Sequence, residues 1–307
     1  METFEKHVPE EFASPEQIPD SPDVAQKWQA ANRNFWESNP MRYDWKTGVG
    51  HAEHSREFYR EIDDRFFSNV REFMPWKSIP FDNLVDFASL SNKRVLEIGV
   101  GNGSHAQLLA SHAGAYVGID LTSYAAKSTA TRLSLFNIPG EVMQMDAEAM
   151  TFADASFDLV WSWGVIHHSS NTRKILDGMR RVLKPGGEAI LMVYHRGWWN
   201  YYVCGALIHG IIRGDLFRSR SLTKTVQRQT DGAFARYYTV DSFGKLMKDA
   251  GFKVEYVVVK GSKAEVFPIP GGRLKTRLMS WVPNAFTRFL TNQLRMGMFV
   301  VCKVSKP

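Results

Sequence analysis

Apolar and polar positions along the chain follow two different rhythms. From Val24 to Glu37 and from His51 to Phe73, apolar residues recur every three or four positions. Phe58, Ile62, Phe66 and Val70 share the spacing of one helix face. Asn39-Pro40 stops the first of these helices and Pro75 the second, and a short further helix is expected over Phe81 to Leu90. From residue 94 the rhythm changes. Short, nearly continuous apolar runs at 94–98, 116–120, 141–146, 157–161 and 188–194 alternate with helical stretches at 104–112, 122–137 and 171–183. Continuous runs predict strands covered on both faces, and the alternation predicts a parallel sheet. Two more strands are expected at 252–259 and 298–304, after a helix that Thr239 caps and Gly251 ends.

This pattern divides the 307 residues into three parts. Residues 1–23, with four prolines and little periodicity, read as a mobile arm. Residues 24–92 read as a helical cap. Residues 93–307 read as an α/β domain interrupted near 197–236 and 261–297, the first interruption too long for a plain loop and expected to form a helical lid.

The chemistry concentrates in RVLEIGVGNG, Arg94 to Gly103. An apolar strand carrying Glu97 ends in Gly99, Gly101 and Gly103, and Asn102 and Ser104 open a helix. Glycines allow the strained dihedrals and close backbone approach of a ligand-binding turn, and the helix start offers unpaired N–H groups. Gly101-x-Gly103-x-x-Ala106 also fits a dinucleotide turn, so the glycines alone leave the ligand open. Asp120 follows Gly103 by 17 residues at the end of the second strand, where a carboxylate can grip ribose hydroxyls.

The glycine turn, Asp120-Leu121, Asp146-Ala147 after the third strand, and the LKPGG of Leu183–Gly187 together resemble a class I S-adenosylmethionine-dependent methyltransferase, closely over about Lys93 to Arg196. The resemblance implies a Rossmann-like, seven-stranded, mostly parallel sheet with helices on both faces, whose last two strands form the antiparallel pair that dinucleotide dehydrogenases lack. It implies S-adenosyl-L-methionine as cofactor. Glu97 would contact its methionine end, Asp120 both ribose hydroxyls and Leu121 the adenine face. Asp146 would accept from the adenine amino group, and Ala147 would donate its backbone N–H to a ring nitrogen. A cap preceding such a domain often folds over the cofactor and walls the acceptor pocket.

An acceptor hydroxyl needs a base, and histidine suits that task near neutral pH. His167 and His168 follow the fourth strand and His195 the fifth, so all three are candidates, with His167 expected to face the cleft and His168 to turn towards the following helix or hold the acceptor. Trp163 is expected near the cofactor or acceptor. Tyr43, Trp198, Trp199 and Tyr202 are expected to line the acceptor pocket. No metal is expected, since adjacent histidines point apart and no carboxylate follows at ligand spacing.

Charge is uneven. The chain carries a formal +6, yet Met1 to Gln26 holds seven acids against one lysine. Between 272 and 295, Leu274, Leu278, Trp281, Val282, Phe286, Phe289, Leu290 and Leu294 recur at helical spacing among Arg273, Lys275, Arg277, Arg288 and Arg295. The apolar side is expected to close the acceptor pocket or pack on the core; peripheral contact with an anionic membrane is the alternative. Two distant cysteines, no secretory leader pattern and no spanning apolar run give the expectation of a cytoplasmic protein, peripheral on a membrane at most. The reading is methyl transfer to a small or medium-sized acceptor, a hydroxyl of a metabolite, glycan or lipid. Carbon or nitrogen methylation of a quinone or lipid is the runner-up, followed by an NAD(P)-binding oxidoreductase or a non-catalytic nucleotide-binding module. A nucleic-acid acceptor is not expected, because no Asn-Pro-Pro-Tyr-like element follows the fourth strand.

Overall fold

The computed structural model describes residues 9, 11–44, 47–228, 230–266 and 273–307, with the side chains of Trp199, Asn200, Ala264, Glu265 and Arg273 excepted. Among the described residues the strands are β1 (Arg94–Ile98), β2 (Ala115–Asp120), β3 (Glu141–Gln144), β4 (Phe157–Trp163), β5 (Leu183–Tyr194), β6 (Lys253–Lys260) and β7 (Phe299–Ser305). They form one sheet in the order β3-β2-β1-β4-β5-β7-β6. β7 runs antiparallel to both its neighbours, and the other pairings are parallel. Central β1 and β4 are buried nearly throughout, as their continuous apolar runs require.

The helices are α1 (Pro22–Ser38), α2 (Arg56–Phe73), α3 (Ser104–Ala110), α4 (Ser123–Leu135), α5 (Thr172–Val182), α6 (Asp215–Ser219), α7 (Leu222–Gln227), α8 (Val240–Asp249), α9 (Lys263–Val266), α10 (Arg273–Trp281) and α11 (Asn284–Arg288). Two wider π-helical stretches cover Trp198–Ile212 and Phe289–Gln293. No helix among the described residues is long and apolar enough to cross a membrane.

Several boundaries differ from the sequence reading for local reasons. α2 begins at Arg56 rather than His51, because Ser55 accepts from the Phe58 N–H and so sets the cap. The helix expected over 81–90 shrinks to a 3₁₀ turn at Phe87–Leu90. The Asp82 carboxylate instead takes the N–H groups of Lys77, Ser78 and Ile79, a local competitor to helix formation. β5 takes in LKPGG because Gly186 and Gly187 exchange backbone bonds with Lys306 beyond β7.

α2 buries Phe58, Ile62, Phe66 and Val70, the four residues of its apolar stripe. Its later turns join the core face that holds Trp161, Trp163 and Met192. α1 lies near the ends of β3 and β4. Gln29 Nε2 donates to Asp146 Oδ1 at 2.9 Å, and Asn32 Nδ2 donates to the His168 carbonyl. Phe12, Trp28 and Phe234 pack edge-on behind it at 5.2–5.4 Å. The first insertion returns to the sheet through Arg236 N–H to His167 O, Tyr238 N–H to Tyr194 O and Arg196 N–H to Tyr238 O.

Candidate active site

A cavity of about 680 Å³ lies at the C-terminal ends of the parallel strands, between them and α1–α2. Its polar end is the glycine turn. Gly99 has φ +83°, and a Cβ there would stand 2.1 Å from Val165 Cγ2, so only glycine fits between the two strands. Gly101 has φ +54° with nothing within 4 Å of where its Cβ would be, which leaves backbone facing open cavity. Arg132 holds the turn from behind. It pairs with Asp63 of α2 and donates to Gln107 Oε1 at 2.8 Å and to the Asn102 carbonyl at 3.1 Å. Asn102 in turn donates to the Met41 carbonyl at 2.7 Å, tying the cap to the turn.

Asp120 lines the same end. Its Oδ2 accepts from Gly101 N–H at 3.2 Å, and its Oδ1 accepts from the Thr122 N–H and hydroxyl at 2.9 and 2.8 Å. Burial raises its pKa and those three bonds oppose the rise. Oδ2, with one donor, retains acceptor capacity for a ligand hydroxyl, and Oδ1 is already filled by Thr122. Leu121, Met145 and Ala147 complete this end. A nucleoside with two vicinal hydroxyls fits the arrangement: a carboxylate at the strand end, open backbone at Gly101, and apolar walls for a base.

The other end is largely apolar, with Phe66, Val70, Phe73, Trp163, Met192 and Phe299. Trp163 stacks on Trp161 at 5.3 Å and 8°. Polar residues here include Tyr43, Asn69, His105, His168, Tyr194, Asp231 and Ser262.

The structure sorts the sequence candidates. Gly99, Gly101, Asp120, Leu121, Ala147, Trp163, Tyr43 and His168 line the cavity; Glu97, Gly103 and Asp146 do not. Glu97 is 1% exposed and its Oε2 accepts from the Tyr116 hydroxyl at 2.6 Å. Gly103 starts α3 with φ +80°. Asp146 caps the turn after β3 and already serves Gln29 and the Glu148 N–H.

Of the two adjacent histidines, His168 rather than His167 lines the cavity. His167 packs its ring at 4.0 Å from Tyr194 and 4.2 Å from His168, is fully buried, and does not line the cavity. Neither of its ring nitrogens has a hydrogen-bond partner, and burial pushes its pKa well below the ordinary histidine range. Both histidines lie in the short 3₁₀ turn Ile166–His168 after Gly164 at φ +76°, where packing on Tyr194 settles the first ring in the core and the Phe234 carbonyl holds the second at the cavity. His168 Nδ1 donates to the Phe234 carbonyl at 2.9 Å, so Nε2 is the ring nitrogen left to accept a proton. His195 is also away from the cavity: its Nδ1 donates to the Gly297 carbonyl at 2.7 Å, clasping β5 to the segment before β7.

The aromatic lid residues are corrected as well. Trp198 and Tyr202 are 52% and 45% exposed and do not line the cavity, because the π-helix turns Tyr201 inward instead, edge-on to Tyr237 at 5.1 Å. The Trp199 side chain lies outside the described residues. Residues 274–294 likewise do not close the pocket: Leu274, Leu278, Trp281, Phe286, Phe289 and Leu294 are exposed.

His105 was not anticipated. It sits in the first turn of α3, lines the cavity, and packs against Phe66, Phe81 and Trp161 at 5.0–5.3 Å. Its signal in the sequence was its place two residues past Gly103, on the helix start that borders the ligand.

Residues 96–191 match the family model described as a methyltransferase domain. With the sheet order and the glycine turn, this part of the chain is a class I S-adenosylmethionine-dependent methyltransferase domain, and S-adenosylmethionine is its cofactor. A tRNA U34 carboxymethyltransferase of Methylococcus capsulatus is 30% identical over 142 residues, covering 40% of this chain and 44% of that protein. Phthiotriol/phenolphthiotriol dimycocerosates methyltransferase 1 of Mycobacterium ulcerans is 38% identical over 101 residues, 32% of this chain and 36% of that protein. The chain thus spans less than half the length of these relatives. A solved geranyl diphosphate C-methyltransferase from Streptomyces coelicolor A3(2) shares the fold, with a TM-score of 0.55 and 12% identity over 94% of this chain and 100% of that one.

Proposed function

We propose that the protein transfers a methyl group from S-adenosylmethionine to a hydroxyl of a small or medium-sized, largely apolar acceptor such as a lipid or lipid-like metabolite. The observation that carries this reading is one cavity with Asp120 and the glycine turn at one end and an apolar chamber with a few polar groups at the other. The cofactor supplies an electrophilic methyl group on a sulfonium. Asp120 fixes the ribose, Leu121 and Ala147 flank the base, and α1 and α2 act as the cap that excludes water. Trp163, Phe66 and Phe299 orient the acceptor so that its nucleophile is in line with the methyl group. His168 Nε2 takes the hydroxyl proton as the new carbon–oxygen bond forms and the methyl–sulfur bond breaks. Glu97 and Asp146 support the site from outside the cavity, through Tyr116 and Gln29. Peripheral contact with a membrane through residues 272–295 belongs to the same reading, as the source of an apolar acceptor.

The test incubates the protein with methyl-labelled S-adenosylmethionine and separate lipid, polar-metabolite, glycan and tRNA fractions. Label is expected in the lipid fraction, on oxygen. Label in tRNA would replace the acceptor by the kind named in the Methylococcus relative. Binding of S-adenosylhomocysteine with no label in any fraction would overturn the transfer itself.

A further inference from the structure

In a surface helix the apolar stripe faces the protein and polar residues face water. The segment from α11 through the π-helical turn after it does the opposite. Thr287 and Thr291 are 3% and 0% exposed, while Phe286, Phe289 and Leu294 are 53%, 51% and 52% exposed. The inversion is stable because the threonine hydroxyls are satisfied within the segment: Thr287 donates to the Pro283 carbonyl at 2.9 Å and Thr291 to the Thr287 carbonyl at 3.0 Å. α10 also exposes apolar side chains, Leu274, Leu278 and Trp281, the last by 75%.

These faces are held outward by specific bonds. Lys263 Nζ donates to the carbonyls of Met279 and Val282 at 3.0 and 2.6 Å, fixing the end of α10 and the residue after it. Arg288 donates to the Glu72 carbonyl at 3.2 Å, seating α11 on the last turn of α2. Lys275, Arg277, Arg288 and Arg295 lie among the exposed apolar residues, and the sequence from 273 to 295 contains no acidic residue. The Arg277 guanidinium lies 5.9 Å from the Trp281 ring, the pairing of an interfacial tryptophan with a cation that can reach phosphate. The exposed Trp198 adjoins the same region, since Gly197 approaches the Arg295 carbonyl so closely that a Cβ would stand 3.5 Å from it.

We infer that α10, α11 and the turn after it form a docking face for an anionic lipid bilayer. Exposed aromatic and aliphatic side chains enter the interface, and the cations meet lipid phosphates. The absence of carboxylates from the stretch selects a negatively charged surface. The face is continuous with the chamber: Met298 and Phe299, just beyond it, and Ser262, just before α9, line the cavity. Docking therefore brings the apolar chamber to the membrane from which an acceptor would come, a consequence that rests on the function proposed above; the docking itself does not.

The experiment is flotation of the full chain with vesicles of phosphatidylcholine alone or mixed with phosphatidylglycerol. The protein is expected to float with the mixed vesicles and to release at high salt. Lys275→Gln with Arg277→Gln should lower partitioning tenfold or more, about the contribution of two cations at such a surface. Trp281→Ser, Phe286→Ser and Phe289→Ser together should abolish it. All five positions lie outside the cavity, so calorimetric affinity for S-adenosylhomocysteine should be unchanged and reports that each variant is folded. Failure to float with either vesicle, or flotation unaffected by the triple change, overturns the inference. A dimer seen by light scattering in the parent and lost in the triple variant would assign the face to a second copy of this chain and overturn it equally. Neither result alters the labelling test of methyl transfer.

Discussion

His105 Nδ1 lies 3.9 Å from Glu97 Oε1, the carboxylate buried and the imidazole half-buried between the glycine turn and the aromatic core. Burial acts on the two groups in opposite directions. It pushes Glu97 up to about 8, against the Tyr116 hydrogen bond and Arg132, with nearby Asp120 adding to the rise. It pushes His105 down to about 3, with the Arg132 charge adding to the fall. At neutral pH the pair is mainly a protonated carboxyl beside a neutral imidazole. An acid whose folded pKa is raised contributes its full stability below its unfolded value and loses it as pH climbs through the folded one. The loss contributed by Glu97 therefore grows from about its ordinary 4.5 to about 8. Glu97→Gln lacks that dependence, so its melting temperature relative to the parent should rise steadily across this window. A flat difference would show that Glu97 is ionised in the folded protein.

The ribose grip should dominate cofactor affinity. Asp120→Ala strands two hydroxyls without a charged acceptor and leaves Thr122 without its partner. Calorimetry should show S-adenosylhomocysteine binding weakened by about 2–3 kcal/mol. Affinity equal to the parent would remove Asp120 from the site.

The two adjacent histidines should separate chemistry from packing. Once labelling has identified an acceptor, His168→Ala should cut turnover by roughly 10²–10⁴ while leaving cofactor affinity intact. His167 makes no side-chain hydrogen bond, so His167→Leu removes buried polar atoms that have no partner. Its thermal stability should match or exceed the parent, and its turnover should stay within a few-fold. Full activity in His168→Ala would remove that histidine from proton transfer.

Gly99 is constrained by its neighbour as well as by its φ. Gly99→Ala forces a methyl group into Val165 and should destabilise the protein by about 1–3 kcal/mol. Chemical denaturation measures the loss. Adding Val165→Ala removes the two nearest methyl groups but keeps a Cβ at 2.9 Å, so it should recover only part of the loss.

The fold was legible in the sequence because its determinants are local. A run such as Val95-Leu96-Glu97-Ile98 can be satisfied only between helices, and glycines at alternate positions announce a turn whatever surrounds them. Asp120 was legible for the same reason: a residue at the end of a strand next to the glycine turn has little choice of where to stand. The rest depended on contacts between segments far apart in the chain. Glu97 became a buried acid because Tyr116 crosses from the neighbouring strand to cover it. Which of two adjacent histidines reached the cavity was decided by Tyr194 and Phe234, whose contacts settle one ring in the core and hold the other at the rim. Along α10 and α11 the apolar periodicity was plain, but periodicity marks a face without saying what covers it. Only the seating of Thr287 and Thr291 toward the protein turned that face to the outside, since helix orientation is set by whichever packing and backbone bonds the neighbouring elements offer.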